Sequence, residues 1–125
     1  MNVLIVDDDL ITLKLHQLRV INMGLSRQPQ LFYNGREVLD FLLAAQETDE
    51  SYLILLDLNM PLMNGWQFLE ALQQYDLRSV IRVVIITSSV DPADQQRAAN
   101  YPQVAAYLEK PLSRKGLEIL ASIFE

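Results

Sequence analysis

"YLILLDLNMPLMNG", residues 52–65, is the stretch on which the fold turns. Tyr52 through Leu56 run apolar without interruption, the pattern of a strand buried on both faces rather than one. An acid, Asp57, stands at its tip, and Asn59, Pro61 and the Asn64–Gly65 pair then break the chain into a turn. Asn64 is placed to cap a helix in which Phe68, Leu69, Leu72 and Tyr75 recur on one face. A doubly buried strand, a short turn and an amphipathic helix make one βα unit. A parallel sheet is built from a series of them.

The flanking sequence repeats the unit four more times. "NVLIV" (2–6) ends on Asp7, Asp8 and Asp9, and a helix follows from about Leu10 to Met23, with Gly24 as its stop. The apolar residues of that helix surround much of the cylinder, so its buried face cannot be read. "QLFY" (30–33) is a second strand, and Asn34–Gly35 turns it into a helix carrying Val38, Leu39, Leu42 and Ala45. "VIRVVIITSS" (80–89) is the most β-branched segment and reads as a central strand. Asp91–Pro92 then signals a short helix to about Asn100. "VAAYLEK" (104–110) is a fifth strand ended by Pro111, and Ser113 can cap a last helix with a stripe of Leu117, Leu120, Ala121 and Phe124. The expected architecture is α/β: a doubly wound, five-stranded parallel sheet with helices on both faces, forming one domain over residues 1–125.

Composition narrows the function classes. The chain has 125 residues, 50% of them hydrophobic and 21% charged, enough to bury the core of a single globular domain. Net charge is −6 and the ten Lys and Arg residues are scattered, with only Arg114 and Lys115 adjacent, so direct nucleic-acid binding is not expected. No apolar run approaches the ~20 residues of a membrane span. The N-terminus lacks a secretory pattern. With no cysteine, thiolate metal sites and disulfides are excluded. A cytoplasmic domain with no membrane partner is the expectation.

In an open parallel sheet, sites form beyond the carboxyl ends of the strands. Those ends carry Asp7, Asp8 and Asp9, then Asp57, then Thr87 and Ser88, then Lys110. Singly, each has a plain structural role: an acid caps a helix, an Asp starts a turn, a Thr ends a strand, a Lys is solvated. Together they argue for chemistry. Carboxylates brought within a few ångströms repel, and a hard divalent cation with oxygen ligands relieves that repulsion. A carboxylate nucleophile, such a cation, an ammonium and a hydroxyl suit phosphoryl transfer, which needs positioning and charge neutralisation above all. The chain offers no Ser/His/Asp set and no Gly-rich phosphate loop.

"VLIVDDD" (3–9), "LILLDLNMPLMNG" (53–65), "VVIITSS" (83–89) and "YLEKPL" (107–112) resemble, in order, the motifs of the response-regulator receiver domain, the CheY-like module of two-component signalling. The resemblance covers essentially the whole chain. It implies a flavodoxin-like sheet of order 2-1-3-4-5, with Asp57 as phosphoacceptor. It further implies Mg²⁺ or Mn²⁺ held by Asp7, Asp8, Asp57 and the Asn59 backbone carbonyl, Asp7 acting mainly through water. Thr87 and Lys110 would contact the phosphoryl group, Ser88 would stand beside it where the family often has Ala, and Tyr107 would be the aromatic that follows the hydroxyl. The implied donor is a sensor histidine kinase or a histidine phosphotransfer protein. The implied output is an unidentified protein met by the surface of helix 4, strand 5 and helix 5, with the domain monomeric or weakly dimeric on phosphorylation. Such a domain assists only its own phosphorylation and dephosphorylation and is not an enzyme acting on other substrates.

Two other readings share some of these residues. A haloacid-dehalogenase-type phosphatase also uses an Asp nucleophile after a parallel strand with Mg²⁺, but wants an acid two residues on, where this chain has Asn59. A degenerate receiver would be an interaction module that is never phosphorylated, and the intact acid set argues against it. His16, in "HQLR", is read as a partly buried structural histidine rather than a phosphorylated one.

Overall fold

Backbone hydrogen bonding makes strands of the five apolar runs and helices of the segments between them. The computed structural model describes residues 2–124, with the side chain of Phe124 outside that description, so its place in the last apolar stripe lies outside the described residues. The elements alternate as β1 (Asn2–Val6), α1 (Leu10–Asn22), β2 (Gln30–Phe32), α2 (Gly35–Ala44), β3 (Ser51–Leu56), α3 (Gly65–Leu72), β4 (Val80–Thr87), α4 (Pro92–Ala98), β5 (Val104–Glu109) and α5 (Arg114–Phe124). The strands form one sheet of order β2-β1-β3-β4-β5, every pair parallel. The doubly wound parallel sheet is the one read from the sequence, and its strand order is the one that the resemblance implied. It puts β3, the strand leading to Asp57, in the middle.

Two apolar layers sandwich the sheet, because alternate residues of a strand face opposite sides. Leu4 and Val6 of β1 and Ile54 and Leu56 of β3 join Val38, Leu42, Phe68, Leu69 and Ala98 under α2, α3 and α4. Val3, Ile5, Leu53 and Leu55 join Leu13, Val20, Leu112 and Leu120 under α1 and α5. Complete burial of each Leu or Phe stabilises the fold by about 1.5–3 kcal/mol, and both faces of β1 and β3 contribute. The doubly apolar strands thus find the two covers they need.

Local signals set the helix ends. Asp9, Asn34, Asn64 and Asp91 cap α1, α2, α3 and α4 with their side chains, and the Ser113 hydroxyl accepts from Gly116 N–H at the start of α5. At the end of α1, Gly24 takes φ +75°, while Gly24 N–H reaches the Ile21 carbonyl and Leu25 N–H the Val20 carbonyl. That is a Schellman ending, which favours a residue without Cβ.

Some boundaries differ from the sequence reading. β2 stops at Phe32 rather than Tyr33, β4 at Thr87 rather than Ser89 and β5 at Glu109 rather than Lys110, while β3 ends at Leu56, so Asp57 and Lys110 stand just past their strands. α3 ends at Leu72, where Tyr75 N–H bonds back to the Leu72 carbonyl in a tighter turn; Tyr75 leaves the apolar face and is exposed. α4 ends at Ala98 rather than Asn100, closed by Tyr101 N–H on the Ala98 carbonyl ahead of Pro102. The buried face of α1 consists of Leu13, His16 and Val20, leaving Leu10, Ile11, Leu15, Leu18 and Ile21 exposed. His16 is therefore a core residue, more deeply buried than expected.

Candidate functional site

The sheet ladder itself carries the key side chains to the rim. Asp57 N–H bonds the Val6 carbonyl at 3.0 Å, Asp7 N–H the Phe32 carbonyl at 3.0 Å, and Lys110 N–H the Thr87 carbonyl at 2.9 Å. Each residue sits one step past its strand and is pinned by one further interstrand bond. Their side chains consequently converge. Lys110 Nζ lies 2.7 Å from Asp7 Oδ2 and 3.4 Å from Asp57 Oδ2, with Asp7 and Asp57 almost wholly buried. Asp8, exposed, joins them: carboxylate oxygens of Asp7, Asp8 and Asp57 lie within 4.8 Å of one another.

The three consecutive acids divide their tasks. Asp9 turns away to α1, where its Oδ1 accepts from Ile11 N–H at 3.0 Å and its Oδ2 from the Thr12 hydroxyl at 2.9 Å. Those bonds, the Thr12 hydroxyl foremost and then Ile11 N–H, hold its carboxyl below the usual range. Asp7 Oδ1 accepts from Asp9 N–H at 2.9 Å, which fixes the Asp7 carboxylate while leaving Asp8 free of the cap. Of the three acids, Asp9 is the one that takes the capping role open to each of them.

Electrostatics at the rim are unbalanced. Burial first, and then the Asp7 carboxylate beside it, push Asp57 above the ordinary range, against the pull of Lys110. Burial alone would depress Lys110, but the carboxylates of Asp7 and Asp57 outweigh it and raise its pKa. One ammonium thus serves two buried carboxylates and leaves one of them reluctant to ionise. Hard oxygen donors at this spacing, with uncompensated negative charge, fit a divalent cation such as Mg²⁺.

The loop after Asp57 is tightly built. Asp57 Oδ1 accepts from Leu58 N–H at 2.9 Å, Leu62 (φ 66°) is the centre of a γ-turn closed by Met63 N–H on Pro61, and Gly65 N–H returns to the Leu58 carbonyl. Asn59 and Pro61 lie on the exposed side of this loop.

Across the rim, Thr87 is fully buried and its hydroxyl accepts from Ser89 N–H at 3.3 Å; Ser88 is exposed. Half-buried Tyr107 donates from its hydroxyl to the Ser89 carbonyl at 3.2 Å, and Ser89 Oγ donates to Asp94 Oδ2 at 2.6 Å. Thr87, read at its strand end, and Tyr107, which the resemblance singled out, are joined through Ser89, which neither reading named. Ser89 carried a faint signal, its place two residues past Thr87. Asp94 carried none beyond a first-turn acid. His16 is packed under the rim, its Nε2 without a partner among the described residues, and burial chiefly lowers its pKa against the opposing Asp7.

Residues 3–122 match the family model described as the response regulator receiver domain. This chain belongs to that family. Among relatives, the two-component response regulator ARR22 of Arabidopsis thaliana is 30% identical over 126 residues, covering 99% of this chain and 84% of the relative. The probable methanogenesis regulatory protein FilR2 of Methanothrix harundinacea is 30% identical over 98 residues; the match spans 77% of this receiver but only 63% of FilR2, less than two thirds of its length. The crystal structure of a two-component response regulator from Cytophaga hutchinsonii superposes with a TM-score of 0.75 at 30% identity, covering 98% of this chain and 95% of that one. The receiver is thus a signalling domain of two-component type with the CheY-like fold. No helix among its described residues is long and apolar enough to cross a membrane.

Proposed function

We propose that residues 1–125 act as one cytoplasmic receiver domain that accepts a phosphoryl group on Asp57. The donor would be a phosphohistidine on a sensor histidine kinase or a histidine phosphotransfer protein. The observation that carries the reading is the Lys110 ammonium set between Asp7 and Asp57 while Asp8 completes a triangle of carboxylates. Asp7, Asp8, Asp57 and the Asn59 backbone carbonyl would hold Mg²⁺ or Mn²⁺, which when bound supplies the positive charge that the phosphoryl oxygens and the crowded carboxylates require.

An Asp57 carboxylate oxygen attacks phosphorus; the O–P bond forms as the P–N bond to the donor imidazole breaks, and the departing imidazole takes up a proton. Lys110 neutralises a phosphoryl oxygen. The sheet pins these groups before the donor arrives, so little reorganisation is needed at the transition state. The phosphoryl group brings a charge of about −1.5 to −2 in place of one carboxylate. Thr87 then turns its hydroxyl inward and gives up Ser89 N–H, and Tyr107 follows as its anchor on Ser89 shifts. The surface of α4, β5 and α5 is thereby biased toward a second population that an output protein, or a second receiver in a weak dimer, can select.

The test is direct. A small-molecule phosphodonor such as acetyl phosphate, with Mg²⁺, should label the protein with an acid-stable, alkali-labile acyl phosphate, and Asp57→Asn should abolish it. Label persisting in that variant would overturn the assignment.

A further inference from the structure

Helix α4 owes little of its position to burial, for of its seven residues only Ala98 is buried. Beside the packing of Ala98 in the core, side-chain contacts at two points one turn apart tie it down. At the first, Asp94 accepts the Ser89 hydroxyl at 2.6 Å, and Ser89 is the residue whose N–H meets Thr87. At the second, the Arg97 guanidinium lies 4.3 Å from the centroid of the Trp66 ring. Tyr101, just past the helix, donates to the Glu70 carboxylate, and its ring centroid is 6.2 Å from that of Trp66. Trp66 and Glu70 are i, i+4 neighbours on α3, the helix that the Asp57 loop feeds directly. Nothing in the phosphoryl-transfer chemistry uses these four residues.

We propose that Trp66, Glu70, Arg97 and Tyr101 form a clasp between α3 and α4 that acts as a brake on the switch, holding α4 in its unphosphorylated position. The inference rests on the reading of Asp57 as phosphoacceptor and Thr87 as the hydroxyl that moves. A helix of seven residues is only ~10 Å long and behaves as a rigid rod. Asp94 and Arg97 lie one turn apart, so a displacement passed from Thr87 through Ser89 to Asp94 also displaces Arg97. Cation–π contacts and hydrogen bonds weaken steeply with distance and angle. A contact made in one state and lost in the other biases the equilibrium by its own strength, and by linkage it opposes whatever ligand favours the other state.

The experiment titrates the whole chain with beryllofluoride and Mg²⁺, beryllofluoride standing in for the phosphoryl group on Asp57, and follows the Thr87 methyl resonance. Arg97 is exposed, so Arg97→Gln leaves the core intact. It should tighten apparent beryllofluoride binding by about two- to fivefold, as should Tyr101→Phe, which removes only the hydroxyl. Arg97→Gln in a Trp66→Leu background should add nothing to Trp66→Leu alone. Tighter binding from a variant whose melting temperature is unchanged or lower is the signature of a released brake, since damage to the fold would weaken binding. Wild-type binding with equal or weaker binding by Arg97→Gln and Tyr101→Phe would overturn the brake and leave the phosphoacceptor reading standing. Failure of the wild type to bind, with no difference from Asp57→Asn, would overturn both.

Discussion

At the scale of single residues, the most informative side chain is one whose environment disfavours its charged form. Asp57 is buried beside Asp7, and Lys110 offsets that only in part, so its pKa in the fold lies above the ordinary value of an aspartic acid. The folded chain therefore holds a proton on Asp57 over a pH window, from about that value upward, where the unfolded chain has released it. Stability contributed by this group is present at low pH and is lost as pH rises through the raised pKa. At neutral pH without divalent cations, Asp57→Asn should melt at a higher temperature than wild type. The gap should close as pH falls toward 4, and Mg²⁺ should reverse the order by stabilising wild type alone. Thermal melts in chelator at pH 7 check this, and equal midpoints would mean that burial does not burden the carboxylate. The place of Asp57 at the rim was legible from its strand, but singly the acid reads equally as the start of a turn, and only the other strand ends on the same rim argued for more. The burial of His16 was not legible, because α1 is apolar nearly all round and no stripe marks which third of it faces the sheet.

At the scale of elements, the caps and strand periods were readable because each is local: Asn64, Asp91 and Ser113 each act on N–H groups within three residues, as does Asn34, which was read only as a turn. Ends governed by nonlocal contacts were not. α4 ends early because the turn through Tyr101 and the clasp to α3 take over, and neither leaves a mark in spacing. Gly65 shows how an element can be fixed by a neighbour it was not read with. A Cβ there would lie 2.6 Å from the Asp57 carbonyl oxygen and 2.9 Å from Leu58 Cα, both backbone atoms that cannot rotate aside. The absence of a side chain lets the first turn of α3 rest directly on the phosphoacceptor loop. Gly65→Ala should destabilise the fold by about 1–3 kcal/mol, the usual cost of overpacking. Because the atoms pushed belong to Asp57 and Leu58, it should also slow acetyl phosphate labelling at temperatures where the variant is still folded. Denaturant melts and a labelling time course read the two effects. A destabilised variant that labels at the wild-type rate would show that the loop absorbs the strain without moving Asp57.

At the scale of the whole molecule, the sheet is the device that makes a site from residues 103 positions apart in sequence, Asp7 to Lys110. Parallel strands all end on one rim, so topology alone brought Asp7, Asp57, Thr87 and Lys110 together, and strand-end reasoning found them without coordinates. It could not find Ser89–Asp94 or Trp66–Arg97, which depend on where a poorly buried helix comes to rest. The same rim couples the site to global stability, because strands β1 and β3, the inner frame of the sheet, end on the proposed metal ligands. A divalent cation that binds the folded carboxylates and not the unfolded chain should stabilise the entire domain by RT ln(1 + [Mg²⁺]/Kd), about 2.7 kcal/mol at a hundredfold excess over Kd. The melting midpoint should therefore climb steadily with the logarithm of Mg²⁺ concentration. Asp8 is exposed and spared from the helix cap, so Asp8→Asn should remove most of that climb while leaving the metal-free midpoint nearly unchanged. Protons compete for the same oxygens, so the gain should shrink as pH falls through the raised pKa of Asp57. A midpoint that stays flat with added Mg²⁺ in the wild type would exclude a cation from this rim, whatever its acids resemble.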